Sequence, residues 1–437
     1  MQTAATKIVT ILQEAGHTAY FAGGCVRDQL LGIEAKDYDI ATSAIPSQVL
    51  ELFPKGKTVG AHFGVIIVNR RGHMFEIATF RTDGSYSDGR RPESVEFSTP
   101  EEDAQRRDFT INGLFFDPIT DKLIDFVGGE ADIEARQLRA IGDARSRLRE
   151  DYLRLLRAIR FAARLDYEIG ETTWCAIREN APQIKTISAE RIRDEFSQII
   201  THQSRVRGFD LLVESGLMEQ IMPEILDLKG CEQPPQFHPE GDVFVHTRLM
   251  LSLLPDEVSL PLALSVLLHD IGKPATYSFD TADQRIRFNG HDKVGAEMAE
   301  DILRRMKFPN LTIEAAAEIV SRHMAFMNVQ KMRKSKLKRF MNGDHFKDEM
   351  ELHRVDCLGS WGGLDNYDFL KAKAEEFASE PLVPPPFING KDLIARGQRP
   401  GPRFQEILTE AQNLQLEGEL QNRDEALSWL DALLATD

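Results

Sequence analysis

The chain should fold as an α+β protein, with a small mixed or antiparallel sheet near the amino terminus and helices in the remainder. Residues 1 to about 140 alternate helix-like and strand-like stretches. TAYFAGG from Thr18, HFGVIIVNR from His62 and HMFEIATF from His73 read as short strands rich in aromatic and β-branched residues. From about 145 to 225 the period changes to helical. Leu148, Tyr152, Leu155, Leu156, Ile159, Ala162 and Ala163 fall on one face, while Asp151, Arg154, Arg157, Arg160 and Arg164 occupy the other. Residues 230 to 360 are again helical and contain most of the histidines.

Four segments follow from this pattern: 1–144 with the strands, 145–228 as a helical neck, 229–380 as a helical body and 381–437 as a helical tail. NRRG between the second and third strands predicts a hairpin turn. The Pro-rich PLVPPPFINGK from Pro381 reads as the linker into the tail, and neither an internal repeat nor a low-complexity tract is present.

With 437 residues and 42% hydrophobic content, the chain can bury substantial cores. No apolar run reaches eighteen residues, and the first residues lack a basic region followed by a cleavage site, so the expected address is the cytoplasm, away from any membrane. The four cysteines, Cys25, Cys175, Cys231 and Cys357, lie far apart, which predicts reduced thiols. A net charge of -16 excludes a uniformly basic surface but not local basic patches. Arginines recur at 145, 147, 149, 154, 157, 160 and 164, and KMRKSKLKRF from Lys331 is mostly basic. Either a solvated helix face or a nucleic-acid contact fits such a pattern. No obligate protein partner is evident.

The stretch GGCVRDQLLGIEAKDYDI from Gly23 concentrates the chemistry. In an extended AKDYDIAT, Asp37 and Asp39 project from the same face, where two like charges repel unless a divalent cation joins them. Hard oxygen ligands suit magnesium. Gly23 and Gly24 end a strand and let bare backbone approach a phosphate, and Arg27 offers a forked donor. A third carboxylate completes a two-ion site, with one ion at the attacking hydroxyl and one at the leaving group. Glu76, expected mid-strand among apolar neighbours, is the candidate.

GGCVRDQLLG followed by DYDI resembles the first motif of the class II tRNA nucleotidyltransferases, the bacterial CCA-adding enzymes and their poly(A) polymerase relatives. The later motifs follow in order over residues 18 to 225. RRDFTINGLFFDP from Arg106 is similar to the second motif, which implies that Arg107 and Asn112 hold the nucleotide and its ribose. VGGEADIEARQLRAIGD from Val127 resembles the hinge between head and neck, REDYLRLLRAIRFAARL from Arg149 the base-reading motif, and SAERIRDEF from Ser188 the last neck motif. The resemblance implies a nucleotidyltransferase head, CTP and ATP as substrates, the tRNA 3′ end as partner and two magnesium ions. It also implies that protein side chains choose the base. Cytosine and adenine share an amino donor beside a ring-nitrogen acceptor. Asp151 would accept from the amino group, Arg154 one helical turn on would donate to the ring nitrogen, and Arg157 and Arg160 would extend toward the triphosphate. FRTDGSYSDGRRPESVEF from Phe80 resembles the loop kept by CCA-adding and A-adding forms, and Ala61-His62 departs from the basic pair of poly(A) polymerases. CCA addition is thus the first reading, with A-only addition, poly(A) synthesis and hydrolysis as successive alternatives.

His246, His269-Asp270, His291, His323 and Asp356 occur in the order of the HD metal-dependent phosphohydrolases. A His-Asp pair closing an apolar helix is costly unless ligated. The expectation is a divalent transition metal on His246, His269, Asp270 and Asp356, with His291 and His323 supporting a second ion. By the same resemblance, phosphate esters such as cyclic phosphates at RNA ends are the implied substrates.

Overall fold

The computed structural model describes residues 1–58, 64–83, 95–378 and 381–435. These form two compact units, Met1–Leu226 with Arg305–Lys307, and Asp227–Arg304 with Phe308–Asp437. Most of the loop expected after Phe80, and Ala61-His62, lie outside the described residues.

The first unit opens with α1 (Gln2–Glu14), which buries Ala4, Ala5, Ile8, Val9 and Leu12 along one stripe. The strands β1 (Ala19–Ala22), β2 (Asp39–Thr42), β3 (Lys57–Thr58), β4 (Val65–Arg70) and β5 (His73–Thr79) follow, with α2 (Gly24–Leu30) and α3 (Pro46–Leu52) between them. β6 (Arg81–Asp83) and β7 (Val95–Phe97) form a separate antiparallel pair. After α4 (Pro100–Gln105), β8 (Phe115–Asp117) and β9 (Lys122–Ile124) complete a seven-stranded sheet of order β3-β4-β5-β2-β1-β8-β9. The pair β2–β5 is parallel and its other pairings are antiparallel. The sheet is therefore mixed. The expected hairpin turn is present, with Arg71 at φ 53° and Gly72 at φ 81° between β4 and β5.

Register places the chemistry. Ala22 pairs with Asp39 across β1 and β2, so the glycine turn after Ala22 lies beside the carboxylate. Ile40 pairs with Ile77 across β2 and β5, and both are buried, so Asp39 and Glu76 share the opposite, solvent-facing side.

Beyond the sheet come α5 (Gly129–Glu134), the short parallel pair β10 (Gln137–Leu138) and β11 (Glu168–Ile169), α6 (Ala144–Glu150) and α7 (Leu153–Leu165). The single helix expected across 148–163 is broken here. Asp151 is extended (φ -149°, ψ 105°), and its Oδ1 accepts the Leu153 N–H at 3.0 Å, which gives the backbone a local alternative to helix. α7 packs on α9 (Ala189–Ile200) and α10 (Arg205–Glu214), while α8 (Glu171–Asn180) packs on α6 and α11 (Leu217–Ile221) closes the unit.

The second unit is built on α13 (Leu260–Leu268), in which every residue from Leu262 to Leu268 is buried. Ser259 caps it by accepting the Leu262 N–H at 3.2 Å. Around α13 pack α12 (Val243–Leu253), α16 (Asn310–Arg322) and α18 (Phe346–Gly359). α14 (Lys273–Thr276) leads into a hairpin of β12 (Tyr277–Asp280) and β13 (Arg285–Phe288), which the helical reading of this region did not anticipate. α15 (His291–Arg305), α17 (Lys334–Met341) and α19 (Asp365–Glu376) complete the body, and α20 (Gly390–Ile394), α21 (Pro402–Glu417) and α22 (Arg423–Ala435) enclose a small core around Leu393, Ile407 and Leu430. The basic stretch from Lys331 runs into α17, with Lys331, Arg333, Lys334 and Lys336 exposed. The four cysteines are free. Among the described residues no helix is long and apolar enough to cross a membrane.

Leu264→Ala, at a position with no exposed surface, should cost about 2–5 kcal/mol and lower the urea midpoint of unfolding. Leu311→Ala, at a side chain 81% exposed, should change stability by less than about 0.5 kcal/mol. Equal effects would contradict a core centred on α13.

Candidate functional site

In the first unit, one cavity of about 580 Å³ is lined by Gly23, Gly24, Arg27, Asp37, Asp39, Arg107, Asn112, Asp151, Arg154, Arg157 and Arg160. Residues more than a hundred positions apart thus meet in one place. Asp37 lies just before β2 rather than within it, but the alternation holds, with Asp37 and Asp39 exposed and Tyr38 and Ile40 buried. Burial of its surroundings, then the charges of Asp37 and Glu76, push Asp39 up to about 6 against the pull of Arg107. This repulsion, only partly offset by Arg107, is what a divalent cation would relieve, so the donor set fits magnesium. Glu76 does not line the cavity and is exposed, not enclosed by apolar neighbours as expected. Its place beside Asp39 comes from strand register rather than from the cost of burying its charge.

Gly23 is required by its backbone. It sits at φ 72°, and a Cβ there would lie 2.9 Å from Arg107 Nη1. Arg107 is held by Asp103, to whose Oδ2 its Nε and Nη2 donate at 3.2 and 2.9 Å.

A chain of alternating charges then crosses the cavity wall. Arg27 donates to Asp28 at 2.6 and 2.9 Å and to Asn112 Oδ1 at 2.7 Å. Asn112 Nδ2 donates to Asp108 Oδ1 at 3.1 Å, and Arg157 donates twice to Asp108 Oδ2, at 2.8 and 2.6 Å. Burial opposes the Asp108 charge, but Arg157, Asn112 and the Phe109 N–H outweigh it and hold the carboxyl down to about 2. Arg160 donates from Nε to Glu195 Oε2 at 2.7 Å. The Arg27, Arg157 and Arg160 guanidinium carbons lie 5.2, 5.2 and 4.3 Å from the centroid of the Phe161 ring.

Asp151 and Arg154 are each braced. Arg191 Nη2 donates to Asp151 Oδ2 at 2.6 Å, and Arg154 donates to Glu150 at 2.5 Å and to the carbonyls of Arg147 and Arg106 at 2.7 and 3.3 Å. Those bonds leave donor capacity on a guanidinium with five N–H groups and acceptor capacity on the carboxylate. The pair does not stand one turn apart on a continuous helix as expected, because Asp151 occupies the break before α7. Asp103, Asp108, Glu195 and Arg191 were missed as site residues. Three of them stand inside the quoted motifs, but only contacts identify their role.

The second unit gathers the histidines. A cavity of about 390 Å³ is lined by Asp270, His291, His323 and Asp356, together with His238 and Lys273, which the sequence reading did not single out. His269, His291 and His323 share one device: each Nδ1 bonds the carbonyl three residues earlier, Val266 at 2.9 Å, Phe288 at 2.7 Å and Val320 at 2.6 Å. That bond fixes the tautomer and turns Nε2 inward. His246 Nδ1 instead meets Glu240 at 2.7 Å, and Glu240 also meets His238 Nδ1 at 2.9 Å.

Candidate ligand atoms cluster as His246, His269 and Asp356, and as Asp270, His291 and His323, with His238, Glu240 and His246 alongside. Asp270, expected with the first group, spans both. Its Oδ2 lies 3.0 Å from His269 Nε2 and its Oδ1 3.4 Å from His291 Nε2. Two observations fit a cation. Among the described residues, buried His246 Nε2 and His269 Nε2 have no hydrogen-bond partner, although carboxylate oxygens stand near them out of line. The Nε2 atoms of His291 and His323 face each other at 3.1 Å while both Nδ1 atoms engage carbonyls. Two lone pairs so placed repel unless a proton or metal ion lies between them. Burial opposes a charge on His246, but Asp356 and Glu240 outweigh it and raise the ring to about 9. His323, buried beside His269, is lowered to about 4.

Residues 19–139 match the family described as poly A polymerase head domain, 166–228 the probable RNA and SrmB-binding site of polymerase A, and 245–356 the HD domain. The CCA-adding enzyme of Geobacillus thermodenitrificans is 44% identical over 211 residues, which is 48% of this chain and 52% of that relative, so the match spans about half the length of that relative. The CCA-adding enzyme of Lactobacillus helveticus is 31% identical over 439 residues, covering 97% of this chain and 95% of the relative. Among solved structures, the Bacillus stearothermophilus CCA-adding enzyme in complex with CTP is 28% identical, with a TM-score of 0.76 over 99% of this chain and 98% of that one. With the head, RNA-binding and HD regions in the same order and a relative matched from end to end, the chain belongs to the CCA-adding enzyme family.

Proposed function

We propose that this chain extends the 3′ end of tRNA with CMP and AMP from CTP and ATP, without a template. The observation that carries the reading is the single cavity that unites Asp37 and Asp39 with Asp151 and Arg154. The relatives named CCA-adding enzymes favour full CCA addition over A-only addition. A head at 1–144, a neck at 145–228, an HD body at 229–380 and a tail at 381–437 are the proposed functional divisions, and the cytoplasm is the proposed site of action.

In the transfer, the 3′-hydroxyl oxygen attacks the α-phosphorus and the bond to pyrophosphate breaks. Magnesium held by Asp37, Asp39 and Glu76 would supply charge neutralisation at the attacking and leaving oxygens. Arg27 and Asn112 line the approach beside the Gly23-Gly24 turn, Arg107 stands against Gly23, and Arg157 and Arg160 present positive charge to the phosphates. Asp151 accepts from the exocyclic amino group and Arg154 donates to the neighbouring ring nitrogen. Uracil and guanine, which present a carbonyl and an N–H there, leave both groups mismatched.

A second reading concerns the other unit, and the inward-facing Nε2 atoms favour it. His246, His269, Asp270 and Asp356, with His291 and His323, would hold divalent transition metal, whose chemistry is to activate water against a phosphate ester. Glu240 and the three backbone carbonyls orient the rings, and Lys273, 2.7 Å from Asp270, keeps a cation at the cavity.

Replacing both Asp37 and Asp39 with Ala should abolish incorporation of labelled CTP and ATP into tRNA lacking CCA, with folding unchanged by circular dichroism; near-normal addition would remove both from the chemistry. Asp151→Ala should lower the ratio of CTP to UTP incorporation about ten- to a hundredfold, since a lost charge-assisted hydrogen bond is worth roughly 1.5–3 kcal/mol. If all rates fall together and the ratio holds, Asp151 is structural. His269→Ala with Asp270→Ala should strip bound transition metal, measured by elemental analysis, and spare nucleotide addition. Retention of metal would count against the histidine site.

A further inference from the structure

We propose that Phe237 and Trp361 are specificity-determining residues, a stacking platform by which the histidine cavity holds a nucleotide ester through its base as well as through its phosphate. The inference rests on the phosphohydrolase reading and assigns the residues that recognise the base. The cavity joins two kinds of surface. Asp270, His291 and Lys273 give it a polar end suited to a phosphate with its cation, whereas Phe237 and Trp361 contribute large rings that are 50% and 58% exposed. Exposed aromatic surface beside a charged cavity is what a flat ring joined to a phosphate would cover.

Trp361 is exposed, yet its position is built. It follows α18, the helix that carries Asp356, and Ser360 Oγ donates to the Asp356 carbonyl at 2.7 Å, so the turn is fastened beside that carboxylate. Gly362 then turns the chain at φ 84° and donates its N–H to the Cys357 carbonyl at 2.7 Å. A Cβ at Gly363 would lie 2.4, 2.6 and 2.8 Å from three carbons of the indole. The ring therefore lies over the bare face of Gly363, a place only glycine leaves open. An exposed ring already held in one position loses little freedom when a ligand stacks on it. Inorganic phosphate or a sugar phosphate engages only the polar end, while a nucleotide engages both.

The test uses the full chain and two readouts. Adenosine 3′-monophosphate should quench the emission of Trp361, isolated by subtracting the response of Trp361→Leu, while inorganic phosphate and ribose 5-phosphate should not. In hydrolysis by the metal-loaded chain, Trp361→Leu should raise KM for adenosine 3′-monophosphate about five- to a hundredfold, the range expected for loss of one stacking contact. KM for ribose 5-phosphate should stay unchanged, and Trp361→Phe should restore most of the nucleotide affinity. Gly363→Ala should displace the indole and reproduce the Leu variant. A short RNA ending in a 3′-phosphate, titrated beside the free nucleotide, assigns the source by the tighter binder. Absence of the Trp361-dependent quench, or an equal KM change for nucleotide and sugar phosphate, overturns the platform. Quenching in a chain that neither binds metal nor hydrolyses esters sustains the platform and overturns the phosphohydrolase reading instead.

Discussion

The first unit depends on the contact of Arg157 with Asp108, in which two guanidinium N–H groups donate to one carboxylate oxygen. Asp108 precedes the turn that carries Asn112, and Arg157 stands on α7, three residues past Arg154. Together with the Arg154 bond to the Arg106 carbonyl, this contact sets the groups that follow the sheet against those carried by α7. Burying the Asp108 charge is expensive, and the cost is offset because Asp108 also accepts from Asn112 and from the Phe109 N–H. The network runs on through Asn112 to Arg27 and Asp28, and Arg157 and Arg160 both approach Glu195 of α9, at 4.0 and 2.7 Å. The cavity thus keeps its arginines in place with carboxylates behind them, as the proposed binding of a triphosphate requires. The guanidinium groups retain donors for a ligand while their positions are set in its absence.

The second unit solves a related problem with neutral partners. Four imidazoles gather in two neighbouring clusters, and three of them are set by carbonyls three residues earlier in the chain. His269 and His323 follow the last turns of α13 and α16, so their acceptors are carbonyls of a helix C-terminal turn, whereas His291 opens α15 and takes the carbonyl of Phe288 at the end of β13. His246 differs by lying between two carboxylates, Asp356 and Glu240, which make its ring the more basic. The two cavities use separate residues in separate compact units.

Much of this was legible in the sequence. The glycine turn, the alternating aspartates, the apolar run closing in His269-Asp270 and the hairpin at Arg71-Gly72 are local patterns, and local patterns are written in residue spacing. Backbone geometry converts that spacing directly into side-chain direction, which is why Asp37 and Asp39 share a face even though only Asp39 belongs to the strand. Tertiary contacts decided the rest. Glu76 reaches Asp39 through the parallel register of β2 and β5, and Asp151 leaves the helix because its side chain takes the Leu153 N–H and the Arg191 guanidinium. The acids behind the arginines, Asp108 and Glu195, lie 49 and 35 positions from the residues they hold. Such pairings depend on how elements pack and leave no periodic trace in the chain, so sequence determined which groups could do the chemistry, and packing determined which of them meet.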